Sequence, residues 1–238
     1  LLAYAGTDIG LLRKTNEDSY IYSPPHLFVV ADGMGGHVAG EIASNLGANT
    51  INEYIKKCSN ISEWEQVLLS AIAHANMMIY QMAQCKIECS GMGTTITSIY
   101  IDNKDVYWGH VGDSRLYFIR NNRLQQITTD HSLVWELVQS GSITNEEAQV
   151  HPHRNILTRA VGTSEEIRID TGKLEWRQGD SLLLCTDGLT NMVSENTIQE
   201  TINMHPADAE AVVNALIQRA NLSGGHDNIT VIYIYYEK

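Results

Sequence analysis

Basic residues are scarce in this 238-residue chain: 16 Lys and Arg stand against 28 Asp and Glu, for a net charge of −12. A nucleic-acid binder needs a basic face to neutralise phosphate, so the balance argues against that class. Long apolar runs are missing too. None approaches the ~18 residues of a membrane span, and no signal-peptide pattern opens the chain, so a cytoplasmic protein with no membrane part is expected. The first residue is not Met, as expected of a processed or trimmed end or of a piece of a longer protein. Cysteine is sparse: Cys58, Cys85, Cys89 and Cys185. No His-rich partner completes a zinc site with Cys85 and Cys89. Cys185 lies inside an apolar strand, and all four are expected as reduced thiols. Repeats, linkers and low-complexity tracts are absent. With 43% apolar residues, the chain can bury a sizeable core as one domain, residues 1–238.

What is present reads as mixed strand and helix. Strands are expected at residues 3–9, 20–22 and 27–31, the last ending at Asp32. From Val38 the period becomes helical, with Ala39, Ala43, Leu46, Gly47, Ile51, Tyr54 and Ile55 on one face. A second helix follows at residues 64–82, its methionines, Met78 among them, reading as core fillers. Strands at 94–101, 106–111, 116–119 and 124–128 are joined by turn residues at Asp102-Asn103 and Asn121-Asn122. Successive hairpins mean antiparallel pairing. Residues 130–165 are polar, with a short helix at 133–140 and a Thr144 cap, and are expected to lie over the surface as a flap. His151-Pro152-His153 reads as extended. A strand at 181–186, helices at 195–203 and 207–221 and a strand at 229–235 close the chain. The expected architecture is α+β: a four-layer αββα sandwich, two antiparallel sheets packed face to face and flanked by helices.

Four carboxylates abut apolar strands: Asp32, Asp113, Asp187 and Asp227. One Asp-Gly pair is most often just a turn. Four such residues beside a core are costly unless paired, and divalent ions would pair them. An all-oxygen ligand set selects Mg²⁺ or Mn²⁺ over Zn²⁺. Two such ions side by side activate water against a phosphorus centre. Asp32 is the candidate bridge between them, and the Gly33 carbonyl can complete one site. Arg13 can clamp phosphate oxygens through its forked guanidinium. Glu17 and Asp18 can hold metal-bound water. Other phosphate chemistries lack their residues. No second Asp stands two after Asp32, as a dehalogenase-like nucleophile requires. No Gly-Lys-Ser/Thr forms a nucleotide loop, and no third glycine completes a dinucleotide fingerprint.

The ordered motifs resemble those of the metal-dependent, type 2C protein Ser/Thr phosphatases in their compact bacterial form. They are Gly10-Leu-Leu-Arg-Lys-Thr-Asn-Glu-Asp18, Val30-Ala-Asp-Gly-Met-Gly-Gly-His37 with Gly40-Glu41, and Gly91-Met-Gly-Thr-Thr95. Further on come Gly109-His-Val-Gly-Asp-Ser-Arg115, Thr129-Asp-His-Ser132, His151 through Gly162, Cys185-Thr-Asp-Gly-Leu189 and Gly225-His-Asp-Asn-Ile-Thr230. The resemblance runs from about Tyr4 to Tyr235. It implies hydrolysis of phosphoserine and phosphothreonine in protein substrates by a hydroxide bridging two metal ions. It also implies a Ser/Thr kinase acting in opposition, and a monomer. Asp32 and Gly33 would serve the catalytic pair, with Asp187 and Asp227 on the second ion. Asp113 with Asp187 would hold a third, weaker ion. Arg13 would bind phosphate, Asp18 would contact metal-bound water, Asn228 would be a supporting neighbour, and the flap would bear on substrate choice. In animal relatives the general acid is a His two residues after the bridging Asp. Met34 stands there in this chain, and His37, five residues after Asp32, is the candidate instead. The flap histidines His131, His151 and His153 read as structural or surface groups. The alternative to an enzyme is a phosphopeptide-binding module that has lost its metals. Manganese-dependent hydrolysis of a small aryl phosphate separates the two.

Overall fold

The structure, a computed structural model, describes residues 1–35, 38–58 and 63–237. Strands β1 (Leu2–Asp8), β2 (Asp18–Ser23) and β3 (Leu27–Met34) lead into helices α1 (Val38–Lys56) and α2 (Trp64–Cys85). A short β4 (Gly93–Thr94) precedes β5 (Ile96–Asp102), β6 (Asp105–Val111), β7 (Arg115–Arg120) and β8 (Arg123–Gln126). The flap carries α3 (Leu133–Gln139) and α4 (Asn145–Gln149). Then come β9 (Asp170–Glu175), β10 (Ser181–Cys185), α5 (Asp187–Thr190), α6 (Glu195–Met204), α7 (Ala209–Leu222) and β11 (Ile229–Tyr235).

The strands form two antiparallel sheets. One runs β1-β11-β10-β7-β8; the other runs β2-β3-β5-β6-β9, with β4 added on β3. Alternation within a strand explains the layering. On β3, Phe28 and Val30 pack between the sheets, beside Ile99, Leu182, Leu184, Ile232 and Ile234. Leu27, Val29 and Ala31 point the other way, into a core shared with Ala43, Ile51, Leu68, Ile72 and Ile79 of α1 and α2. On β11, Val231, Tyr233 and Tyr235 likewise face Ile198, Val213 and Leu216 of α6 and α7. A strand apolar on both faces needs cover on both faces, and that gives the expected four layers. Each fully buried Leu, Ile or Phe adds roughly 1.5–3 kcal/mol.

The turns obey their residues. Asn103, Asn121 and Asn122 all adopt positive φ, 54°, 52° and 62°, a region that Asn tolerates better than most residues. Thr144 caps α4 in a full capping box with Glu147.

Several expectations need correction. β3 does not stop at Asp32, because Gly33 and Met34 pair with Thr94 and Gly93. The expected strand 94–101 is two strands, broken at Thr95. Met78 is exposed rather than core. Residues 152–155 form a turn, not an extended segment; Arg154 N–H donates to the His151 carbonyl at 3.2 Å. Three elements went unread: a 3-10 turn at Ile87–Cys89, β9, a sheet edge of sequence Asp-Thr-Gly-Lys-Leu-Glu, and the single turn α5.

Candidate active site

The carboxylates meet because the strands that carry them end on the same side of the sandwich. Asp32 stands opposite Asp18 across β2 and β3. β5 starts where β6 ends, Ile96 opposite Val111, and Asp113 lies in the turn from β6 into β7. Cys185, the last residue of β10, faces Arg115 on one side and Val231 on the other. Asp187 follows it at the first turn of α5, and Asp227 precedes β11. Asp32 and Asp187 lie near enough for each charge to act on the other.

Close backbone approach permits this gathering, and glycine permits the approach. A Cβ on Gly188 would sit 1.9 Å from the Asn228 carbonyl oxygen, and one on Gly33 would sit 2.1 Å from that of Gly40. Any side chain at either position would push the strand ends apart.

Threonine hydroxyls fix the acids. Asp32 N–H donates to Thr95 Oγ1 at 2.9 Å, and the Asp32 carbonyl accepts from Thr95 N–H at 2.8 Å and from Thr94 Oγ1 at 2.9 Å. Thr95 Oγ1 also meets Ser114 Oγ at 2.8 Å, beside Asp113. Asp18 Oδ2 accepts from Thr186 Oγ1 at 2.8 Å and Thr230 Oγ1 at 2.6 Å. Asn191 Nδ2 donates to Asp187 Oδ2 at 2.9 Å. Sequence reasoning missed these hydroxyls: Thr186 adjoins Asp187 in the chain, but Thr94, Thr95 and Thr230 lie far from the acids they hold.

The remaining oxygens test whether a cation fits. Asp18 Oδ1 and Asp187 Oδ1 are buried, and among the described residues no N–H or hydroxyl donor reaches them. Burial pushes Asp18 up to about 7, with the charges of Asp187 and Asp227 adding to it. Asp187 is pushed up to about 6 by burial and by Asp227. Burial and the neighbouring acids raise Asp32 and Asp113 well above the ordinary carboxylate range. Crowded carboxylates with unfilled oxygens fit hard cations. Among the described residues no three His, Cys, Asp or Glu side chains close round a single point. An ion held by one or two carboxylates and a carbonyl, with water completing its shell, needs no such trio.

Arg13, half exposed, donates from Nη2 to Asp227 Oδ2 at 2.7 Å. Its loop is stapled by buried Asn228. Asn228 Nδ2 donates to the carbonyls of Ile9 and Thr15, each at 3.0 Å, and Oδ1 accepts from Glu17 N–H at 2.8 Å. The Glu17 carbonyl accepts from Gly33 N–H at 3.1 Å, so the loop is joined to β3. Asp18, Asp32, Gly33, Asp113, Asp187, Asp227, Arg13, Glu17 and Asn228 are thus gathered at one mouth. His37 lies outside the described residues. His131 is buried within the fold and His151 bonds the backbone of His153, in keeping with structural roles. All four cysteines are free, and Cys185 is fully buried.

Comparison with known proteins gives a consistent result. The family model for protein phosphatase 2C matches residues 15–221. The chain is 37% identical over 235 residues to the serine/threonine phosphatase stp of Listeria welshimeri, covering 96% of this chain and 93% of that protein. It is similar to the crystal structure of the Mycobacterium tuberculosis serine/threonine phosphatase PstP/Ppp, with a TM-score of 0.93, 37% identity and coverage of 100% and 99%. It is also similar to the catalytic domain of a PstP solved in complex with two manganese ions, with a TM-score of 0.89, 36% identity and coverage of 98% and 96%.

The raised acids imply a pH-dependent stability. Asp18 has an ordinary value of 3.8 and a folded value of about 7, so between those limits the folded chain binds more protons than the unfolded one. Its stabilising contribution is complete below about 4 and lost as pH rises through about 7. Without metal, thermal stability attributable to the site is expected to fall from about pH 5.5 to pH 7.5. A divalent ion at ~100 times its Kd adds ~2.7 kcal/mol. Melting curves with Mn²⁺ and with a chelator should therefore differ more at the higher pH.

Proposed function

The chain belongs to the protein phosphatase 2C family and is a serine/threonine protein phosphatase that depends on metal, and on that premise we propose how its residues share the work. Asp32 and the Gly33 carbonyl, with Asp187 and Asp227, would hold a pair of Mn²⁺ or Mg²⁺ ions. Asp113 with Asp187 would hold a third, weaker one. The buried Asp18 and Asp187 oxygens that no donor among the described residues reaches carry this reading. When bound, such a pair supplies water activation near neutral pH and screens the phosphoryl oxygens.

The chain's own groups do the rest. Arg13 turns from Asp227 to the substrate phosphate and orients it through its forked N–H groups. Its loop stands out at the mouth, within reach of a phosphorylated side chain on a protein surface. Asp18 Oδ2 is committed to Thr186 and Thr230, which leaves Oδ1 to accept a proton from water at the site. Glu17, at the base of the Arg13 loop, serves the same water shell. Asn228 holds the loop against the start of β11. His37 donates a proton to the departing serine or threonine oxygen.

Residues 1–238 act as one catalytic domain, and the flap at 130–165 bears on which phosphoprotein is accepted. Its surface position supports this, as does its rooting beside the site: Val161 and Thr94 exchange backbone hydrogen bonds at 2.8 and 2.9 Å. The substrates are phosphorylated proteins, a Ser/Thr kinase acts in opposition, and the enzyme works as a monomer. Among the described residues no helix is long and apolar enough to cross a membrane.

Three substitutions test the assignments. Asp187→Asn is expected to cut kcat/KM by roughly 100-fold or more and to weaken Mn²⁺ binding, with the circular dichroism spectrum unchanged; near-normal turnover would remove Asp187 from the site. Arg13→Ala should raise KM for phosphopeptides roughly tenfold with kcat little altered, since it removes binding common to ground and transition states. His37→Gln should lose turnover of a phosphoserine peptide while sparing an aryl phosphate, whose leaving group needs no proton. Equal losses on both substrates would count against His37 as the acid.

A further inference from the structure

Asp113 sits in a turn whose two flanks are gripped by consecutive residues of the flap root. On one flank, Arg115 Nε donates to Asp130 Oδ1 at 3.0 Å and Nη2 donates to Oδ2 at 2.7 Å. On the other, His131 grips Gly112 twice. His131 N–H donates to the Gly112 carbonyl at 2.7 Å, and Gly112 N–H donates to His131 Nδ1 at 3.1 Å. Ser114 is held from a third side, its carbonyl accepting from Thr97 Oγ1 at 2.9 Å. Asp113 is therefore carried on a backbone that residues 130 and 131 straddle.

The His131 ring continues beyond the turn. Because Nδ1 accepts from Gly112, the ring proton is on Nε2, which donates to Asp170 Oδ2 at 3.1 Å. Asp170 Oδ1 in turn accepts from Arg159 Nη1, at the far end of the flap, at 2.9 Å. The residue is 2% exposed, and its ring rests against His110 with centroids 4.7 Å apart. Burial lowers the His131 pKa, in keeping with a neutral ring that accepts on one side and donates on the other. Neither nitrogen is available to substrate or to a metal ion. Its position is spent on joining three segments: the Asp113 turn, the flap root and the start of β9.

We propose that His131 is a positioning residue that sets the Asp113 turn according to the flap's anchorage on Asp170. The metal consequence rests on the reading above in which Asp113 holds the weaker ion. A flap held to Asp170 keeps Gly112 and Arg115 in place and presents the Asp113 carboxylate in one setting. A flap released from Asp170 frees the ring, and with it the turn. Coupling runs both ways, so occupancy at Asp113 also steadies the flap.

The test is a double-substitution cycle with two readouts. His131→Asn keeps an acceptor near the Nδ1 position but cannot reach Asp170. Asp170→Ala cuts the same link from the other end. In the metal-free protein, amide exchange at residues 112–116 is expected to quicken roughly fivefold or more for either substitution. The two together should do no more than one. Additive effects, or an unchanged turn, would overturn the proposal. Asp170→Asn, which leaves an oxygen for Nε2–H, should restore slow exchange. If His131→Asn does not fold, Asp170→Ala against Asp170→Asn decides the coupling through the far partner. The second readout is Mn²⁺ binding followed by the resonance of the free ion. The weaker Mn²⁺ constant should rise several-fold in Asp170→Ala, and the weaker site should vanish in Asp113→Asn. Retention of that site in Asp113→Asn would overturn the ligand reading, while the metal-free exchange cycle still decides the coupling.

Discussion

Like charge at short range is the constraint on which this molecule is built. Asp18, Asp32, Asp113, Asp187 and Asp227 share one end of the sandwich, and among the described residues a single arginine is paired to them, Arg13 on Asp227. Left to themselves they would separate or take up protons, and burial drives their affinity for protons upward. They stay together because they are fixed to strands that cannot move independently. β3, β10 and β11 are each covered on both faces, so displacing one end disturbs two cores. The repulsion is held in the metal-free chain as a demand for cations.

The threonine hydroxyls turn that demand into geometry. Thr186 and Thr230 use up one oxygen of Asp18 and leave the other. Asn191 does the same for Asp187, and Thr95 joins the end of β3 to the Asp113 turn. A carboxylate with one oxygen bonded within the chain has its second aimed by the first. The site is thereby shaped before a metal or a phosphate arrives, which limits the reorganisation that catalysis must wait for.

Much of this was legible in the sequence, and for identifiable reasons. Asp32, Asp187 and Asp227 stand out because each lies beside an apolar run, and such runs are long only where both faces are buried. The capping box at Thr144 and the Asn turns are local chemistry, which a sequence displays directly. What escaped reading depends on tertiary partners. β9 has no apolar alternation, because it is an edge strand held by main-chain bonds to β6. α5 is one turn, below the length at which a helical period can be seen. Met78 has the spacing of a core residue, yet it points away from the sheet. The two-sided grip of His131 on Gly112 joins residues 19 apart, and no pattern in the intervening chain announces it.

The flap is closed at its neck. Ser132 bridges to Leu157, and Thr158 N–H donates to the His131 carbonyl at 2.9 Å. The excursion between these points is thus a loop whose ends are already joined, and lengthening such a loop costs little: a doubling adds about 0.6 kcal/mol. Evolution can rewrite, extend or trim residues 134–155 without disturbing the strands that carry the acids. The joined neck so separates the length of the excursion from the strands that carry the acids, and one can change while the other stays fixed.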